Sequence, residues 1–195
     1  PFSFSGTTCA TICPRMSQLI TPASIIAFWT EAGPDRWYRK DAGFDARFRE
    51  SGKAAHWAAA RRELDGWMDS PEGALALMIL LDQYPRNSFR GTAHQFATDP
   101  LALSLAKQAV ARGYLSAFEP DLRQFLVMPY MHSEAMADQD ALLHLCDGMP
   151  ETLRFAHIHR DIIVKFGRFP HRNGVLGRET SPDEQAFLDQ GGFSG

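Results

Sequence analysis

Between Glu72 and Gln83 the chain reads EGALALMILLDQ, apolar on nearly every side of a helical wheel. A helix without a polar face cannot lie on a surface; other helices have to wrap it. This segment therefore demands one core large enough to surround it. Ser70-Pro71 supplies an N-cap and a proline at the first helical position, and Pro85 reads as the stop. The apolar run inside it, Ala74 to Leu81, falls far short of the roughly 20 residues that span a bilayer. No membrane partner is expected.

The rest of the chain supplies the wrapping. Thr21-Pro22 opens a helix that runs through Phe28 and Trp29 to Gly33, and a longer segment from Asp41 carries Phe44 and Phe48 one turn apart. Asp99-Pro100 opens a helix to Arg112, closed by Gly113, and Pro120 starts another that Pro129 ends at Met128. Ala135 to Cys146, Pro150 to Phe166 and a capping box at Ser181-Pro182-Asp183-Glu184 complete the series. The alternation that marks strands is nearly missing. The expectation is an all-α domain of about eight helices over residues 17–195, without a linker. At 195 residues such a domain can bury roughly 70% of its unfolded surface. Residues 1–16 show no helical period and read as a poorly ordered extension. Cys9 and Cys13 within them lack the partners a metal or disulfide framework needs, and Cys146 stands alone. Scattered cysteines and no recognisable signal peptide point to a reducing cytoplasm.

A net charge of −3 and a pI near 6.2 argue against a nucleic-acid partner. Against that background, His159 to Asn173, HRDIIVKFGRFPHRN, packs Arg160, Lys165, Arg168 and Arg172 against the single carboxylate Asp161. Cations this dense repel unless carboxylates or a bound anion face them. On the helix before this corner, His159 falls in the apolar stripe of Phe155, Ile158, Ile162, Ile163 and Phe166. It is either a core histidine bonded to a carboxylate or carbonyl, or a ligand or proton-transfer group in a cleft.

The central helix ends in a matching way. Asp82 leaves its apolar face and QYPRN follows: Gln83, Tyr84, Pro85, Arg86, Asn87. The later corner reads RFPHRN: Arg168, Phe169, Pro170, His171, Arg172, Asn173. Each sets an aromatic-Pro pair beside Arg-Asn, so a stiff turn can hold a guanidinium with little freedom left to lose. Two such corners facing each other, with Asp82 between the guanidinium groups, would make either a structural Arg-Asp-His network or an anion pocket. A third polar cluster, His132, Ser133 and Glu134, follows Pro129. Ser133 suits a helix cap, and His132 with Glu134 is half a metal site lacking a partner at helical spacing, so no metal and no cofactor is assigned. His56, His94 and His144 read as isolated packing or surface residues, and Trp29, Trp37, Trp57 and Trp67 as core rather than a base-stacking platform.

At these motifs the chain resembles a bacterial family catalogued as domain of unknown function 924. The matching strings are AFW (Ala27 to Trp29), RWYRKDAGFD (Arg36 to Asp45), MILLDQYPRN (Met78 to Asn87), FRGTA (Phe89 to Ala93), MPYMHSE (Met128 to Glu134), and HRDIIVKFGRFPHRN with VLGRETSPDE (His159 to Glu184). The resemblance implies an all-helical fold of stacked antiparallel hairpins, a tetratricopeptide-like right-handed α-α superhelix. It implies no activity, substrate or cofactor. Tyr84 and Lys165 stand where that family tends to carry Phe and Arg.

Three functional readings stay open. The first is a scaffold whose concave helical surface takes a partner's peptide. The second is a site for a small anion or an acidic segment, drawn from Asp82, Gln83, Arg86, Asn87, His159, Arg160, Arg168, His171, Arg172 and Asn173. The third is an enzyme, hydrolase-like, using His159 or His132 with Asp82 or Glu134 as acid and base, with or without a metal. The oligomeric state is not legible.

Overall fold

The computed structural model describes residues 20–193, so the reading of residues 1–16, Cys9 and Cys13 included, lies outside the described residues. Every regular element among the described residues is helical. The α-helices are α1 (Pro22–Ala32), α2 (Pro34–Trp37), α3 (Ala42–Ala60), α4 (Pro71–Met78), α5 (Tyr84–Ser88), α6 (Asp99–Ala111), α7 (Pro120–Met131), α8 (Met136–Leu145), α9 (Pro150–Phe166) and α10 (Pro182–Asp189). The cap chemistry holds in detail. Thr21 and Ser181 form capping boxes with Ser24 and Glu184, and Ser70 and Asp41 accept from first-turn amides. Gly167 closes α9 at φ 67°, a left-handed conformation that a side chain would strain.

Residues Ala74 to Leu81 are fully or almost fully buried, as a helix with no polar face requires. Helices α1, α6 and α7 pack against α4, while α6 with α7, α7 with α8, and α8 with α9 pack in chain order. The N-terminal side of this core is aromatic: Trp29 meets Trp37 and Phe125 edge-on or stacked at ring centroids of 6.1 and 5.3 Å, and Phe44 and Phe48 at 6.0 and 5.4 Å. A smaller apolar cluster centres on Ile162, Ile163 and Phe169, with Phe166, Phe187 and Phe193 around it.

Two prolines expected to end helices do not. Beyond Met78 the central helix widens into a π turn over Ile79–Gln83 and continues as α5 through Pro85 to Ser88. In that wider turn the Tyr84 amide reaches back five residues to the Ile79 carbonyl. Pro85 has no N–H for the carbonyls of Leu80 and Leu81, and side chains serve them instead. His56 Nδ1 lies 2.9 Å from the Leu80 oxygen, and Thr98 Oγ1 donates to the Leu81 oxygen at 2.5 Å. Likewise α7 runs through Pro129 to Met131. Ser133 is not the cap of α8, which starts at Met136. It accepts from the Ala135 amide at 3.2 Å and donates to Asp138 at 2.7 Å.

Candidate functional site

The π turn carries Asp82 to the edge of the core, where 1% of its surface is exposed. Its carboxylate accepts from His132 Nδ1 at 2.7 Å and Gln83 Nε2 at 2.6 Å, and lies 3.1 Å from Arg86 Nη1. Burial alone would raise the Asp82 carboxyl. The charge of Arg86 and the hydrogen bonds of His132 and Gln83 reverse that and hold it well below the usual carboxylate range. A carboxylate here fixes the imidazole with Nδ1–H inward, leaving Nε2 as the atom that can take or give a proton.

Arg86, one turn beyond Asp82, is fully engaged. It donates to the Asp82 carbonyl at 2.7 Å and forks onto Asp99 with two bonds of 2.8 Å. Asp99 is the hinge between the two corners, because Arg172 Nη1 approaches the same carboxylate at 3.6 Å. Phe96, just before α6, lies under both cations, with Arg86 at 5.6 Å and Arg172 at 4.5 Å from its ring centre. The corners therefore come together, with Asp99 rather than Asp82 shared between the guanidinium groups.

Arg172 is the unusual member. Its guanidinium is flanked by Phe96 and Phe169, each 4.5 Å away, and the residue is 6% exposed. Among the described residues its side chain donates no hydrogen bond. Nε is buried without a partner, and the 3.6 Å approach to Asp99 is beyond bonding distance. Burial, with the like charge of Arg86, pulls its pKa down to about 10.

Three imidazoles complete the cluster. His159 Nδ1 donates to its own helix at the Phe155 carbonyl, 2.8 Å, so the carbonyl alternative for this residue is the one adopted. Its ring centre lies 6.4 Å from that of His132 and 5.6 Å from Phe169. His171 lies tilted against Phe169 and edge-on to Phe193, and its Nδ1 is buried with no partner among the described residues. Burial keeps all three neutral. His159 falls to about 3, and His171, with Arg172 beside it, to about 4. Burial and the Arg86 charge lower His132 against the opposing pull of Asp82. No group of three or more His, Cys, Asp or Glu among the described residues has the geometry to hold a metal ion.

The family model described as "Bacterial protein of unknown function (DUF924)" matches residues 25–192. The chain belongs to that family. A solved structure of a protein of unknown function from Agrobacterium tumefaciens is 52% identical, with a TM-score of 0.85, over 87% of this chain and 97% of that one. No curated protein matches the chain.

The remaining residues singled out in this DUF924 chain lie outside the Asp82–Arg172 cluster or brace it. Gln83 spans Asp82 and Met128. Asn87 turns the other way, donating to Asp45 at 2.8 Å, which Arg90 also meets at 3.0 Å. Arg160 pairs with Asp140 at the surface. Arg168 forks onto Glu184 at 2.6 and 2.8 Å and borders shallow surface hollows with Lys165, Ser181 and Arg178. Asn173 reaches Glu184 at 3.3 Å. Glu134 accepts from the Phe169 amide at 2.8 Å and from Arg178 at 2.8 and 3.1 Å, pinning the second corner. Phe96 and Arg178 are not among the candidate site residues of the sequence, and Asp99 and Glu184 read there only as parts of helix starts. Asp99 had a signal, an acid beside a proline, that a helix start already explained. His56 and His94 are not isolated: their Nε2 atoms lie 3.1 Å apart. No described helix is long and apolar enough to cross a membrane.

Proposed function

We propose that this protein binds a small anionic group, a carboxylate, phosphate or sulfate, at Arg172, with His132, His159 and His171 around it. The observation that carries the reading is the buried Arg172 guanidinium, set against two phenyl rings with Nε unpartnered and its nearest carboxylate, Asp99, beyond hydrogen-bond reach. A buried charge without hydrogen bonds costs several kcal/mol, which two cation–π contacts of about 0.5–2 kcal/mol each and a distant carboxylate only partly return. The two rings take up apolar contact with the guanidinium, and its N–H groups match the paired oxygens of such an anion. Arg86 serves the site indirectly. Its fork is spent on Asp99, which it fixes as the positioning charge for Arg172.

Sulfate titrated into the full chain should raise the melting temperature beyond sodium chloride at equal ionic strength. Arg172→Gln should abolish that increment. Arg168→Gln, which breaks the Glu184 pair and the bond to the Glu179 carbonyl but leaves Arg172 in place, should keep it. An increment unchanged in Arg172→Gln removes this site. The acid–base reading is favoured by one further observation, the Asp82–His132 pair, which holds an imidazole in one tautomer as a general base requires.

A further inference from the structure

The charged groups that meet at the two corners balance. Arg86 and Arg172 stand against Asp82 and Asp99, and Glu134 is matched by Arg178. The imidazoles between them are neutral. An anion entering this cluster therefore adds a charge that nothing present offsets, in surroundings where an unbalanced charge is costly.

The geometry points to a proton-coupled site: an anion held on Arg172 is taken up together with one proton, and His132 carries it. This inference rests on the anion reading above and goes beyond it. His132 is the one imidazole of the three whose inner nitrogen already meets a carboxylate, Asp82 at 2.7 Å. A second proton at Nε2 makes it a cation that donates to Asp82 on one side and to the anion on the other. His159 spends Nδ1 on a neutral carbonyl, and His171 has no carboxylate partner, so neither is braced to hold the charge. The groups that set the His132 equilibrium come from every neighbouring element. Asp82 on the π turn and Asp99 at the start of α6 favour the proton, and Arg86 on α5 opposes it. His159 on α9 and His171 at the second corner face it as neutral rings, and Arg172 stands there as a cation that Glu134 offsets. A bound anion tips this balance toward the proton.

The consequence is a ligand class and a chemistry. Small anions gain affinity as pH falls, and the bound state places an acidic N–H against the anion, which is where a general acid stands.

Sulfate is the probe, because it does not titrate near neutrality and any proton taken up belongs to the protein. Calorimetric titration of the full chain in buffers of different ionisation enthalpy should give close to one proton bound per sulfate. Affinity should fall by up to about tenfold per pH unit as pH rises, the limit for one linked proton. His132→Asn keeps an N–H for Asp82 and should bind sulfate with no proton uptake. Imidazole nitrogen shifts of the wild-type protein provide a readout that needs no variant: sulfate should convert His132, and not His159 or His171, to the doubly protonated form. Sulfate binding that depends on Arg172 but is flat in pH and releases or takes up no proton overturns the coupling and leaves the anion site standing. Proton uptake retained in His132→Asn also overturns it. Absence of sulfate binding overturns the anion reading itself, and this inference with it.

Discussion

His159 offers a quantitative check on how the neutral imidazoles are held. It is 5% exposed, and burial drops its pKa to about 3. A base harder to protonate in the folded chain than in the unfolded one stabilises the fold fully above the unfolded value, about 6.5. That contribution is lost as pH falls from there toward 3. At pH 5 the unfolded chain holds a proton that the folded chain refuses across about 1.5 pH units. At about 1.4 kcal/mol per unit, the penalty is about 2 kcal/mol relative to pH 7.5. For a chain of this size it corresponds to a melting temperature lower by about 4–8 °C from this residue alone. His159→Leu removes the titration and keeps an apolar side chain in the stripe. Urea unfolding followed by the fluorescence of buried Trp29 gives both stabilities at both pH values. The variant should show a pH 5 penalty smaller by about 2 kcal/mol than the wild type. Equal penalties in the two chains would mean that His159 charges without cost inside the fold, and the account of its burial would be wrong.

Asp82→Ala strips the acceptor from His132 Nδ1 and Gln83 Nε2 and should cost about 3–5 kcal/mol in urea unfolding, the scale for breaking a buried ion pair. Thr98→Val removes the hydroxyl that serves the Leu81 carbonyl and should cost about 1–3 kcal/mol. The same substitution should cost less in a Pro85→Ala background, where an amide returns to the turn, and a double-mutant cycle measures the difference. Gly52→Ala should destabilise by about 1–3 kcal/mol despite better helix propensity, because the new Cβ would sit 2.7 Å from the Tyr84 ring; calorimetric unfolding decides the sign.

What the sequence disclosed follows from how local each signal is. Caps at Thr21, Asp41, Ser70 and Ser181 depend on three or four neighbouring residues, and they are where the residue types place them. The burial of Ala74 to Leu81 needed only a helical wheel. Pro85 and Pro129 misled because proline forbids one hydrogen bond, not a helix. The Leu81 carbonyl that Pro85 leaves open is satisfied by Thr98, whose proximity no local pattern announces. The likeness of the two aromatic-Pro-Arg-Asn corners was visible, and both rings, Tyr84 and Phe169, are fully buried anchors. The partners were not visible. Asn87 and Asn173 match by position in their strings, yet Asp45 claims the one and Glu184 the other. The His56–His94 contact joins residues with no shared periodicity.

The bond from Asp82 to His132 closes fifty residues of chain, and Arg172 reaches Asp99 from farther still. Loop closures of that length are entropically expensive, so they come after the local helices have formed. The cluster is thus assembled at the end of folding, when α9 and the corner behind it dock. The cluster then doubles as a conformational checkpoint: a chain truncated before Phe169 keeps the residues of the central helix and of the Thr21, Asp41 and Ser70 caps, but lacks Arg172, on which the proposed anion would rest.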